Sequence, residues 1–337
     1  MREMLGFAFI LIVMIAAGAA AWGISQRKAG RSTKSPAPAA KKHARIPVIL
    51  DTDIGDDIDD TWALAMLLGS REVDLRLIVT GTNDPTEKAR LVAKILERSG
   101  RTGVPLGIGI KTATGPTNQA KWVGDTDLKN YKGKIHSDGI QALIDCIHAA
   151  ETSVTLCAIG PLANLAEALR RDPSIAKKTR LVCMAGSVFI GYNAKPERDI
   201  EYNIVANIPA ARAVLAAPWL SVTWAPLDSC GALRIKGERY ARLAASKAPR
   251  AAAVIENYEA WTGRKDYPKG ESSILFDTVA VYLCLAEEHC EMKTVKLKID
   301  DKGFTVPDEK GHPVRCALKL KNQEALEELI EKALTDE

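Results

Sequence analysis

The chain has 337 residues, is 47% hydrophobic and carries a formal net charge of +4, enough length for one large core or two modest ones. The positive balance belongs to the N-terminus: residues 1–46 hold eight Lys/Arg against Glu3, a charge of +7, so the remaining 291 residues carry 4 minus 7, or −3. A mildly acidic body argues against a nucleic-acid-binding protein; seven scattered Cys, odd in number and without CxxC spacing, argue against a disulfide framework or a metal finger.

The first element is Met4–Ile24, an almost unbroken apolar stretch long enough to cross a bilayer. Residues 1–25 are read as an N-terminal transmembrane anchor. The alternative is a cleaved export signal, with Ala17-Gly-Ala-Ala-Ala21 as the processing site. In the anchored reading the basic residues after the segment keep the body cytoplasmic by the positive-inside rule. Residues 26–45, with Ser35-Pro-Ala-Pro-Ala-Ala-Lys-Lys42, form a flexible basic tether.

From Ile46 to the C-terminus short apolar runs alternate with helical patterns. Pro47–Leu50 predicts a buried strand ending at Asp51, Thr61–Leu68 an apolar helix, Leu75–Thr80 a strand, and Pro85–Arg98 a helix with Ala89, Val92, Ala93 and Leu96 on one face. Val154–Ile159 predicts a strand broken by Gly160-Pro161, Leu162–Leu169 a helix and Arg180–Met184 another strand. This alternation predicts an α/β domain over 46–337: an open, mostly parallel, Rossmann-like sheet with helices on both faces. Ligands in such sheets bind beyond the carboxyl ends of the strands.

At the end of the first strand, Asp51-Thr-Asp-Ile-Gly-Asp-Asp-Ile-Asp-Asp60 packs six carboxylates into ten residues. Like charges at this density repel, and each loses solvation if the segment packs as its apolar flanks imply. A divalent cation such as calcium, which collects several carboxylate oxygens, is the simplest compensation; a solvated acidic turn before a helix is the bland one. An EF-hand loop starting at Asp51 fails, because its fifth, sixth and twelfth positions are Gly55, Asp56 and Trp62. A haloacid-dehalogenase-type phosphatase is the weaker alternative, since Gly55 breaks its pattern after the Asp-x-Asp and no later Gly-Asp-x-x-x-Asp appears.

Val48-Ile-Leu-Asp-Thr-Asp-Ile-Gly-Asp-Asp-Ile-Asp-Asp60 followed by Trp-Ala-Leu-Ala resembles the opening signature of the inosine–uridine-preferring nucleoside hydrolases. Further segments are similar to that family in the correct order: Val79-Thr-Gly-Thr-Asn83, Thr155-Leu-Cys-Ala-Ile-Gly-Pro-Leu-Ala-Asn-Leu-Ala166, Glu201-Tyr-Asn203 and Phe276-Asp277-Thr-Val-Ala. The resemblance covers 46–337 and implies calcium-dependent hydrolysis of a nucleoside or related riboside. It also implies that Asp277 closes the metal shell, that the Ile159 carbonyl is a ligand, and that Asn83, Asn193, Glu201 and Asn203 bind ribose hydroxyls.

Asp53 is assigned as metal ligand and general base, because an attacking water needs a nearby carboxylate to take its proton. Asp57 and Asp60 are nominated as further ligands, with Asp59 as alternate, since the run differs from the family spacing. Asn83 has a competing reading as the cap of the helix near Pro85, Asn164 reads as structural, and Asp51 as a tie to neighbouring backbone. Phe276 stands where many purine-accepting members carry His, so the acid for the leaving base is missing; His136, in Lys-Ile-His-Ser-Asp-Gly, is the candidate substitute. Trp122, Tyr192, Trp224 and Trp261 are candidates for stacking on a base, with core packing as the default. A sugar-binding protein that has lost efficient proton donation is the alternative from another class. Expected partners are a small-molecule nucleoside or riboside, the membrane through the N-terminal helix, and a second copy in a homo-oligomer.

Overall fold

The computed structural model describes residues 44–262 and 270–336. The Met4–Ile24 anchor and nearly all of the tether lie outside the described residues. Among the described residues, no helix is long and apolar enough to cross a membrane.

Strand β1 (Ile46–Thr52) explains why its sequence is a continuous apolar run: both of its faces are covered. Val48 and Leu50 enter one apolar cluster and Ile49 the other, as the alternation of side chains along a strand requires. The chain then runs through α1 (Asp59–Gly69), β2 (Val73–Thr80), α2 (Pro85–Arg98), β3 (Leu106–Ile108) and β4 (Ile135–His136). It returns to the other side of β1 for β5 (Val154–Ala158), β6 (Thr179–Met184) and β7 (Ser221–Ala225). β8 (Cys290–Ile299), β9 (Thr305–Pro307) and β10 (His312–Leu320) finish a sheet ordered β4-β3-β2-β1-β5-β6-β7-β10-β8-β9.

All pairings from β4 across to β10 are parallel; β8 and β9 extend that edge antiparallel. The predicted strands and helices are all present, with ends moved by one or two residues. The largest consequence is at α1, which starts at Asp59 and so carries both Asp59 and Asp60 in its first turn. The start of α2 is set by Asp84, whose side chain accepts from Thr86 N at 3.2 Å, with Pro85 first in the helix. Asp84, rather than Asn83, is therefore the cap. The seven cysteines are all free thiols, and Cys157 and Cys183 are core residues.

Strand order reverses between β1 and β5, and the crevice at their carboxyl ends is the switch point where ligands bind in open sheets. Two features hold it open. Gly160, just after β5, passes so close to Asp53 that a Cβ would lie 2.8 Å from its backbone N and Oδ1. Asn164 then reaches across the crevice: its Nδ2 donates to Asp51 Oδ1 at 2.7 Å, and its Oδ1 accepts from Ile110 N at 2.9 Å. Both Asn164 and Asp51 are buried, in line with the structural roles read for them. Asn164→Ala removes the donor from a buried carboxyl and is expected to destabilise the fold by about 1–3 kcal/mol. Urea denaturation measures this; an unchanged midpoint would show that the tie contributes nothing.

Candidate active site

The switch point opens into a cavity of about 380 Å³, within the range of small-molecule sites. One side is acidic, lined by Asp53, Asp56, Asp57, Asp59, Asp60 and Asp277; the other is aromatic, with Tyr192, Tyr202, Trp261 and Phe276. Asp59 and Asp60 come from the first turn of α1, and Asp277 from the first turn of the helix Phe276–Leu283, so two helix N-termini face the same point. Carboxylate oxygens of Asp59, Asp60 and Asp277 lie within 4.8 Å of one another, and all three residues are buried.

Such a trio cannot stay ionised by itself. Burial, then the charge of Asp57, pushes Asp59 well above the usual carboxylate range; burial and Asp53 do the same to Asp60, and burial and Asp59 to Asp277. Asp60 also accepts a hydrogen bond from the Thr52 hydroxyl. Asp53 is held outside the trio but close enough to perturb all three. Burial moves it up to about 7 against the opposing charge of Lys88, with Asp56 and Glu201 adding to the rise. The donors are all oxygens and no Lys, Arg or His lines the cavity among the described residues, the chemistry of a hard divalent cation site.

The acidic loop is fixed from outside. Asn118 Nδ2 donates to the Asp56 carbonyl at 2.8 Å and Trp261 Nε1 to the same oxygen at 3.3 Å, while Gln119 Nε2 donates to the Asp57 carbonyl at 2.6 Å. Gly55 turns the loop at φ +113°, a conformation that L side chains rarely adopt. Across the crevice, Glu201 is buried and its carboxylate accepts from the backbone N of Gly186, Asn203 and Ile204 at 2.9, 2.7 and 3.2 Å. Burial still raises it to about 7. Asn203 Nδ2 donates to the carbonyls of Met184 at 3.1 Å and Ile159 at 3.4 Å, bringing two expected site groups together at the ends of β5 and β6.

A profile of the inosine-uridine preferring nucleoside hydrolases matches residues 48–329. The chain belongs to that family. It is 34% identical over 180 residues to the non-specific ribonucleoside hydrolase RihC of Escherichia coli (strain SMS-3-5 / SECEC), a match covering 50% of this chain and 58% of the relative. A RihC of Escherichia fergusonii matches with the same identity and coverage. The chain thus spans little more than half the length of these relatives. Among solved structures, a plant nucleoside hydrolase superposes with a TM-score of 0.74 at 21% identity, over 87% of this chain and 99% of that one. The inosine-uridine preferring nucleoside hydrolase from Bacillus anthracis gives 0.70 at 18% identity, over 87% and 100%. At these identities the superpositions establish the shared fold.

Of the residues singled out in the sequence, Asp53, Asp57, Asp59, Asp60, Ile159, Glu201, Asn203 and Asp277 line the cavity. Four of the expected residues stand differently from the rest. Asp57 lines the cavity beside the trio, with its Oδ1 accepting from Ile58 N at 2.7 Å, while the helix start brings the alternate, Asp59, into the trio itself. Asn83 is exposed and outside the lining, and its Nδ2 donates to Asp56 Oδ2 at 2.8 Å, so it acts at the rim. Asn193 is exposed in a left-handed turn at φ 57°, and Tyr192 takes the lining position beside it. His136 sits on β4, the edge strand three places from β1, and does not reach the cavity. Of the stacking candidates, Tyr192 and Trp261 line it, whereas Trp122 and Trp224 are core.

Sequence reasoning missed Lys88, Asn118 and Tyr202. Lys88 had a signal: it shares a helix face with Leu91, Val92 and Ile95, all buried. Asn118, in an irregular segment, had none.

The raised carboxyls have a measurable consequence. A carboxyl whose folded pKa lies above its unfolded value binds more protons folded than unfolded, so ionising it costs stability as pH rises. For Asp51, Asp53 and Glu201 that window runs from about 4 to about 7. A bound divalent cation offsets this cost most where the carboxyls are ionised. The rise in melting midpoint on adding the cation to chelator-treated protein is therefore expected to be larger at pH 8 than at pH 5; equal rises would contradict the assigned site.

Proposed function

We propose that the chain hydrolyses the N-glycosidic bond of a ribonucleoside or related riboside, releasing ribose and a free base, with calcium as its cation. The observation that carries this reading is the convergence of Asp59, Asp60 and Asp277 beside Asp53, at the switch point of a family member. Asp53, Asp59, Asp60, Asp277 and the Ile159 carbonyl are the groups that would hold calcium, a hard cation suited to an all-oxygen shell. When bound, it supplies electrostatic stabilisation and orients oxygen groups of the substrate.

The side chains do the rest. Asp53 takes the proton from the attacking water, its carboxyl lining the cavity beside the Asp59–Asp60–Asp277 trio. Glu201 and Asn203, already locked by backbone hydrogen bonds, present rigid polar groups to the ribose hydroxyls, so a sugar lacking one leaves a buried group unpaired. The aromatic side receives the base by stacking. Phe276 cannot give the departing base a proton, and the hydroxyls on that side are the phenols of Tyr192 and Tyr202, both kept protonated at neutral pH by burial, which raises them.

The same Phe276 favours one second reading, a calcium-dependent sugar-binding protein with feeble turnover. The expected outcome is that the purified chain releases reducing sugar from a riboside panel, that chelation stops it, and that Asp53→Ala lowers kcat by about 10²–10⁴-fold. Calorimetric sugar binding without product after long incubation would establish the binder instead. Near-normal turnover by Asp53→Ala would refute the assigned base. The apolar segment at residues 1–25 is proposed to tether this activity to a membrane, on the strength of its length and composition alone.

A further inference from the structure

Lys88 is fully buried, and no step assigned above uses it. It is the fourth residue of α2, close to the positive end of the helix dipole, and burial strips its ammonium of water. Its Nζ donates to the Asp53 carbonyl at 2.6 Å, to Asp56 Oδ2 at 2.6 Å and to Thr82 Oγ1 at 3.2 Å. Those three acceptors use all three protons of an ammonium.

The acceptors join two loops. Asp53 and Asp56 belong to the acidic loop; Thr82 belongs to the β2–α2 loop, where Thr82 and Asn83 both hold left-handed backbone, at φ 57° and 47°. That conformation is strained for residues other than glycine and persists only where the surroundings impose it. Asn83 Nδ2 bonds the same Asp56 oxygen as Lys88 does. Lys88 itself stays behind the cavity wall, while Asp53 and Asp56 line it.

Resting on the riboside reading above, we propose that Lys88 is a positioning residue: by fastening the Asp53 carbonyl and the Asp56 carboxylate it holds the Asp53 and Asp56 side chains in the geometry that meets the sugar. A lysine serving only the core would affect stability. A lysine acting through Asp56 affects turnover, and its effect overlaps with that of Asp56.

The experiment is a double-mutant cycle in the full-length chain, with Lys88→Met, Asp56→Asn and the pair, reading kcat, KM, melting midpoint and calorimetric calcium affinity. Lys88→Met is expected to lower kcat/KM at saturating calcium by about 10–100-fold, the scale seen when groups behind a site are lost. Adding it to Asp56→Asn is expected to cost less than about threefold more, because coupled residues are non-additive. Turnover by Lys88→Met within about twofold of the parent, or losses that multiply in the pair, would overturn the proposal. Should Lys88→Met alone not fold, the pair decides, since it removes both members of the Lys88–Asp56 ion pair: equality with Asp56→Asn supports the role and a further tenfold loss refutes it. If the parent chain turns over no riboside, the riboside reading fails on its own. Calorimetric affinity for D-ribose then replaces kcat/KM in the same cycle and judges Lys88 separately.

Discussion

The structure is organised around one electrostatic conflict: Asp51, Asp53, Asp59, Asp60, Glu201 and Asp277 are all removed from water at the crevice where the sheet reverses direction. Each carboxyl is raised by its own burial, and several are raised further by their neighbours. Burial of this kind is tolerable for groups that are hydrogen-bonded, protonated or matched by a cation. The fold uses all three answers at different members of the set. Asp51 has Asn164 and Glu201 has three backbone N–H groups; Asp59 and Asp277 share a hydrogen bond. Asp53 is the member set nearest to Lys88, with a pKa near neutrality.

In the loop between β1 and α1, several backbone oxygens are satisfied by residues from elsewhere in the chain. The Asp53 carbonyl is met by Lys88, that of Gly55 by Asn118 N at 2.9 Å, that of Asp56 by Asn118 and Trp261, and that of Asp57 by Gln119. Gln119 is held in turn by Asn257, whose Nδ2 reaches its Oε1 at 2.6 Å. Residues from α2, from the segment around Asn118 and from the helix Pro249–Thr262 are thus required to shape the six residues between β1 and α1. Acidic loop and fold are therefore one structure: segments far apart in the chain buttress the loop that follows β1.

This division decides what could be read from the sequence. The strands around the switch point are short apolar runs with both faces covered, so their positions were legible, and the acidic run at the end of β1 marked the site directly. Glu201, Asn203 and Asp277 were reached through ordered motifs, since nothing local distinguishes them. Asp57 matches the family's spacing from Asp53 while Asp59-Asp60 match the helix that follows, and spacing alone does not choose between them; the helix begins at Asp59 and so carries Asp59 and Asp60 in its first turn. His136 and Asn193 were misplaced for a different reason. Strand order in a sheet and the direction of a left-handed turn are not encoded in spacing, and each put its residue away from the cavity. The antiparallel β8–β9 extension left no trace in the α/β alternation used to define the fold.

The acidic and aromatic sides of the cavity are mechanically joined at the start of the helix Phe276–Leu283. Successive helical residues point about 100° apart, so Asp277 turns to Asp59 while Phe276 meets Tyr192 edge-on, with centroids 5.8 Å apart at 84°. The Tyr192 hydroxyl accepts from Tyr202 N at 3.1 Å, and the next residue, Asn203, reaches the Ile159 carbonyl. A continuous series of contacts therefore runs from the carboxylate trio through the aromatic wall and back to the end of β5. A residue in place of Phe276 acts on both at once: it alters the aromatic lining of the cavity and how firmly the helix start holds Asp277. The aromatic lining is thus not separable from the geometry of the carboxylate trio, because one helix start sets Phe276 against Tyr192 and Asp277 against Asp59.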